Sequence, residues 1–133
     1  MSGRDGQDGR FVYEYAVLRV VPRVERGEYF NAGVLVYCRA HSFVAARTHL
    51  DEHKLRALDP AADLAGVQAS LRGIEGVCLG GAAAGQAAGD DAGRRFRWLI
   101  APRSTVVQPG PVHTGLTADP AAETTRLLDL LVR

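Results

Sequence analysis

"FVYEYAVLRVV", Phe11–Val21, is a run of mostly β-branched and aromatic side chains. Alternate residues of a strand point to opposite faces, so Tyr13, Tyr15, Val17, Arg19 and Val21 share one side. Val12, Glu14, Ala16, Leu18 and Val20 take the other. Both sides are apolar through the middle, which a strand with one wet face does not require. The segment therefore reads as a strand well inside a sheet. Pro22 ends it, because proline brings no amide hydrogen to the ladder.

Outward from that strand, Gly33–Arg39 (GVLVYCR) reads as a second and Ser42–His49 (SFVAARTH) as a third. The tight turn at 39–42 has hairpin spacing, and three antiparallel strands in a row make a meander. Helices follow. Asp51 can cap a short one carrying Leu55 and Leu58. "DPAAD", Asp59–Asp63, offers an N-cap Asp with proline at the first helical position. Leu64, Val67, Leu71, Ile74 and Cys78 then recur at spacings of three and four, one apolar stripe for the sheet. Gly66, Gly73 and Gly76 each weaken that helix by about 1 kcal/mol relative to alanine, which implies close packing or early fraying.

The start signal returns as "DPAAE", Asp119–Glu123, opening a helix to Val132 with Leu127, Leu128 and Leu131 inward. Between the two, Gly80–Gly93 reads as a flexible Gly/Ala-rich loop. "RRFRWLIAPR" reads as a short helix or turn burying Phe96, Leu99 and Ile100, "STVVQ" as a fourth strand, and "PGPVHTGLTA" as an ordered, irregular return. The expected fold is α+β. It has an antiparallel sheet of about four strands, an N-terminal three-strand meander plus one later strand, with two or three helices packed on one face. Residues 1–10 read as a flexible arm and 11–133 as a single domain.

Composition narrows the function classes. Hydrophobic content of 47% suits a globular chain rather than a disordered one. No run approaches the ~18 apolar residues of a membrane span, and the charged, Gly-rich start does not resemble a secretory signal. Cys38 and Cys78 sit in apolar contexts, as buried free thiols of a reducing cytoplasm do. A net charge of only +1 draws the molecule to neither nucleic acid nor anionic membrane. Fifteen of the sixteen basic residues are arginine, Lys54 being the exception, a bias that GC-rich coding explains as readily as anion recognition does.

Two segments carry polar groups beyond what a connection needs. "RVERGEYFN", Arg23–Asn31, joins strands that a two-residue turn could join, and over-long polar loops are where binding sites concentrate. Its candidates are Arg23, Arg26, Glu28 and Asn31; Gly27 permits a positive φ, and Gly33 a close backbone approach. Trp98–Gly115 adds Arg103, Ser104 and His113, held by prolines that lower the entropy cost of ordering. If the two segments meet, with Arg19 and Arg47 as the floor, they form a site for phosphate, a nucleotide or a carboxylate peptide. The bland alternative is local pairing of Glu28 with an arginine, a turn cap at Asn31 and a coil sealing the sheet around Trp98.

Other chemistries fit less well. Ser104, His113 and Asp119 occur in triad order, without a nucleophile elbow. Cys38, His41, His49 and His53 have ligand-like local spacing, but the pairs lie too close in sequence for the usual zinc site. No Gly-rich nucleotide motif appears, and the arginines form no basic stripe for nucleic acid. No catalytic residue, metal site or cofactor is assigned.

"YEYAVLRVVPRVERGEYFNAGVLVYC" and "FRWLIAPRSTVVQPGPVHTGL" together resemble the bacterial family known as domain of unknown function 3037, from Tyr13 to the C-terminus. The Ala/Gly stretch at Ala82–Ala88 resembles an ordinary loop variation within it. No catalytic residues are described for that family, so the resemblance implies none here. It implies a small bacterial protein, and a HipA-like kinase encoded nearby as partner. The expectation is a cytoplasmic, non-catalytic accessory or interaction module. A small enzyme or sensor for a phosphorylated or nucleotide-like anion is the alternative, with nucleic-acid binding third.

Overall fold

The structure, a computed structural model, describes residues 8–80 and 91–133. Most of the arm read at 1–10 and most of the loop read at 80–93 lie outside the described residues.

Five strands form one antiparallel sheet: β1 (Phe11–Val20), β2 (Phe30–Cys38), β3 (Phe43–Thr48), β4 (Val107–Pro109) and β5 (His113–Thr117). Among the described residues four α-helices accompany them: α1 (Glu52–Leu58), α2 (Leu64–Leu79), α3 (Ala92–Leu99) and α4 (Pro120–Leu131). The class is α+β, as the sequence predicts. The meander is present, β1 pairing with β2 and β2 with β3, closed by a hairpin in which Cys38 faces Phe43.

The far edge of β1 differs from expectation. β4 pairs only with Leu18–Val20, and β5 takes Phe11–Tyr15. The "irregular return" thus contains a strand. Ten residues of β1 expose ten residues of backbone, and three-residue β4 cannot satisfy them, so the chain turns at Gly110 and continues along the same edge. β1 is consequently flanked on both sides over nearly its whole length, and its two faces are apolar because helices pack on each of them.

One face of the sheet is covered by the first three helices. Leu18, Leu35 and Ala46 pack under Val77 and Cys78 of α2 and under Phe96 and Leu99 of α3. Val20, Ala32 and Val107 pack against Leu55 of α1 and Val67 and Leu71 of α2. The fourth helix corrects the one-face layout expected for both long helices. Leu127 and Leu128 of α4 lie on Tyr13, Val34, Val36 and Cys38, residues of the opposite parity. An apolar stripe on a helix requires burial, but either face of a sheet apolar on both sides supplies it.

Capping follows the sequence at α1 and α4, where the Asp51 and Asp119 carboxylates accept first-turn amides. At α2 the cap is Asp63, accepting from Gly66. Asp59 instead accepts from Ala61 and ends α1, so the first "DP" makes a turn and only the second starts a helix. Cys38 and Cys78 are both buried, in separate cores.

Candidate functional site

α4 covers β2, β3 and Tyr13, and leaves the β1–β4–β5 half of its face open. The open half is built from residues opposite one another in register. Tyr15 faces His113, their rings 5.3 Å apart, and Arg19 faces Gln108 on one side and Asn31 on the other.

Asn31 reaches this face through a β-bulge. Leu18 pairs with Gly33 but Arg19 pairs with Asn31, so Ala32 is the extra residue and the parity of β2 reverses there. Without the bulge Asn31 would point toward α2. With it, Asn31 Nδ2 donates to the Leu131 carbonyl at 3.0 Å and caps the end of α4.

Arg19 is the central side chain. Its guanidinium lies over the Tyr29 ring, 4.3 Å from the centroid. On its other flank is Gly110, where a β-carbon would come within 3.1 Å of Cζ, so only glycine leaves the guanidinium its full space. The Nε is buried and has no hydrogen-bond partner. Among the described residues no carboxylate pairs with Arg19, and its buried Nε has no acceptor. Enclosing a charged donor without an acceptor is costly, and a cation–π contact compensates only part of that cost. A carboxylate or phosphate arriving from outside would meet a planar, preoriented fork.

The loop arginines are differently placed. Arg23 Nη2 bonds Glu25 at 2.9 Å, and Arg26 Nε bonds Glu28 at 2.8 Å. Glu25 and Glu28 are held below the usual carboxylate range, Glu28 chiefly by the hydrogen bond from Arg26. These pairs sit on a short 3-10 turn, Val24–Arg26, closed by Gly27 at φ 71°. Gly33 makes its close approach to the chain itself: a β-carbon there would lie 2.9 Å from the Arg47 carbonyl oxygen. Arg47 shares the face of Arg19, as the parity predicts, but α4 holds it through Thr125 Oγ1 at 3.2 Å.

The two polar segments do not form one site. His113 lies on the open α4-side face, whereas Arg103 lines a groove on the α2–α3 side with Val77 and Leu99. Arg103 Nη2 donates to the Trp98 carbonyl at 2.7 Å, and Ser104 is exposed just beyond it. The sheet separates the two because β4 and β5 pass its edge between them. Trp98, the core anchor of the bland alternative, is 46% exposed.

Of the predicted site residues, the structure therefore sets Asn31 opposite Arg19, places His113 on the same open half-face but farther along β1 at Tyr15, and leaves Arg23, Arg26, Glu28, Arg47, Arg103 and Ser104 elsewhere. It adds Tyr15, Tyr29, Gln108 and Gly110. Tyr15 was available from parity alone; the others depend on pairing between distant segments. Asp119, the third member of the triad order, is spent capping α4. Among the described residues no cluster of three or more His, Cys, Asp or Glu could hold a metal, and no helix is long and apolar enough to cross a membrane.

No curated protein and no solved structure matches the chain. A family model matches residues 15–132, spanning all five strands from Tyr15 of β1 and all four helices. On that match the chain belongs to the family described as Protein of unknown function (DUF3037).

Proposed function

We propose that the chain is a non-catalytic binding module of the bacterial cytoplasm. Its open half-sheet docks a partner protein through an acidic or phosphorylated group that pairs with Arg19. The observation that carries this reading is the Arg19 guanidinium between Tyr29 and Gly110, whose buried Nε has no acceptor among the described residues. Farther along the same face of β1, the Tyr15–His113 ring pair supplies contact area of the kind found at the centres of interfaces. The loop arginines expected to form the contact are neutralised by their own neighbours, so the centre of the surface moves from the loop to the strand. The HipA-like kinase implied by the family resemblance is the first partner to test.

Co-expression with that kinase tests the reading. The wild-type chain should co-purify with it, and Arg19→Glu should abolish capture while leaving the melting temperature of the isolated chain within a few degrees. Capture that survives Arg19→Glu would remove Arg19 from the interface.

The alternative, a sensor for a small phosphorylated anion, uses the same fork. It predicts a rise in melting temperature with phosphate or nucleotide in the absence of any protein partner. That rise should vanish in Arg19→Ala.

A further inference from the structure

The sheet's other face carries a second feature. Between α2, α3 and the segment leading into β4 runs an open groove of about 380 Å³, floored by Ile74, Val77, Leu99 and Val107 and walled by Trp98 and Val106. Both wall residues are exposed apolar side chains. A second hollow of about 350 Å³ adjoins it, the two sharing Ser70 and Val106. Arg103 is the one charged side chain that lines the first hollow. Its Nε and Nη2 are fixed by the carbonyls of Ala101 and Trp98, and its guanidinium lies 5.5 Å from the Trp98 ring centroid. With two corners of the fork fixed, Nη1 has no partner among the described residues.

Gly73 points to the same place independently. It sits in the interior of α2, where glycine is unfavourable and its repetition implies close packing or early fraying. The structure shows no close packing at Gly73: a β-carbon there would meet nothing within 4 Å. The glycine serves no contact, and its missing side chain is part of what keeps the groove open, since Gly73 itself lines it.

We infer that this groove binds a small amphiphilic anion, a molecule with an apolar body of roughly fatty-acyl or aryl size and a single carboxylate or sulfonate head that pairs with Arg103. Apolar walls around one fixed cation are complementary to that chemistry, and the volume lies at the small end of ligand sites. A neutral apolar ligand would leave Arg103 without a role, and a polyanion would meet only one cation. The inference does not depend on the Arg19 surface, which lies across the sheet.

The probe is 8-anilinonaphthalene-1-sulfonate, followed by fluorescence and displaced with decanoate. The wild-type chain should bind it saturably at one site, with decanoate competing. Gly73→Leu fills the groove from a position with free space, so it should keep the fold and lose binding by at least about tenfold. Arg103→Ala and Arg103→Lys should weaken decanoate about tenfold or more and about threefold, respectively, while leaving decanol unchanged, because only the head-group contact is altered. Arg19→Ala should bind as the wild type does. Absence of saturable binding by the wild type, or unchanged binding in Gly73→Leu, would overturn the site. Unchanged decanoate affinity in Arg103→Ala would overturn the anionic-head assignment.

Discussion

Replacing Arg19 by methionine should make the ligand-free protein more stable. The Nε–H is enclosed without an acceptor, and a buried unpaired donor costs about 1–3 kcal/mol. The contact with Tyr29, lost on substitution, returns about 0.5–1 kcal/mol at a half-exposed site. Methionine keeps an unbranched side chain against Tyr29 and Gly110, so the packing change is small. The balance is a gain of about 1 kcal/mol. For 133 residues the unfolding entropy is about 0.28 kcal/mol/K, which places the shift at about 3–4 °C upward. Urea titration followed by circular dichroism, in buffer free of phosphate and carboxylates, measures it, with an unchanged m-value as the check that both variants unfold alike. A loss of more than about 1 kcal/mol would refute the reasoning. The guanidinium would then be serving the fold, and its lack of an acceptor would no longer point to an outside molecule.

Three further outcomes follow from the packing. Tyr13 donates its phenol hydrogen to Glu123, whose other contacts are with Arg126 at 2.7–2.8 Å. The bonds from Arg126, with a smaller contribution from Tyr13, hold the Glu123 carboxyl below its usual range. A depressed carboxyl stabilises the fold above its unfolded value and loses that contribution as pH falls through its folded value. Glu123→Gln should therefore be less stable than wild type at pH 7, with the gap closing below about pH 4. Burial pushes the Cys78 thiol up to about 12; at pH 8 it should resist iodoacetamide in the native protein and react only after denaturation, as mass spectrometry would show. Gly33→Val places a β-carbon against the Arg47 carbonyl, and a loss above about 3 kcal/mol in urea titration is expected from that backbone clash.

The meander was legible because each of its strands carries the signal within itself. Phe11–Val21 is dense in β-branched and aromatic residues, Pro22 stops it, and the 39–42 turn is too short for anything but a hairpin. β5 was not, since "HTGLT" has neither an apolar period nor a β-branched majority. It is a strand because β1 leaves an edge that needs a partner, and that is a property of another segment. The side chosen by α4 was hidden for a related reason. Leu127 and Leu128 announce that the helix must be buried, while the choice between faces rests on which one α2 and α3 have already filled. The two "DP" starts show a third limit. Asp59 and Asp63 have the same capping chemistry four residues apart, and the end of α1 at Leu58 decides which of them begins a helix.

The candidate site was half legible, and the missed half has a readable cause. Arg23-x-Glu25 and Arg26-x-Glu28 each set a base two residues before an acid, a spacing that lets the pair close on itself in a tight turn. Loop arginines with such neighbours are neutralised before any partner arrives, and exposed pairs of this kind contribute little. Arg19 has Leu18 and Val20 beside it and Val17 and Val21 at its own parity, so no acid can reach it locally. A lone cation inside an apolar strand must either be met by a distant acid or be left for something outside the chain. Glu14 is the one acid on β1, and it lies on the opposite face, already bound by Arg97 at 2.9 and 3.0 Å. The distant segments that do reach Arg19 bring Tyr29, Asn31, Gln108 and Gly110, an aromatic ring, two amides and a gap. None of these described neighbours carries a negative charge, and that absence, more than the number of arginines, is what makes this position the one to test.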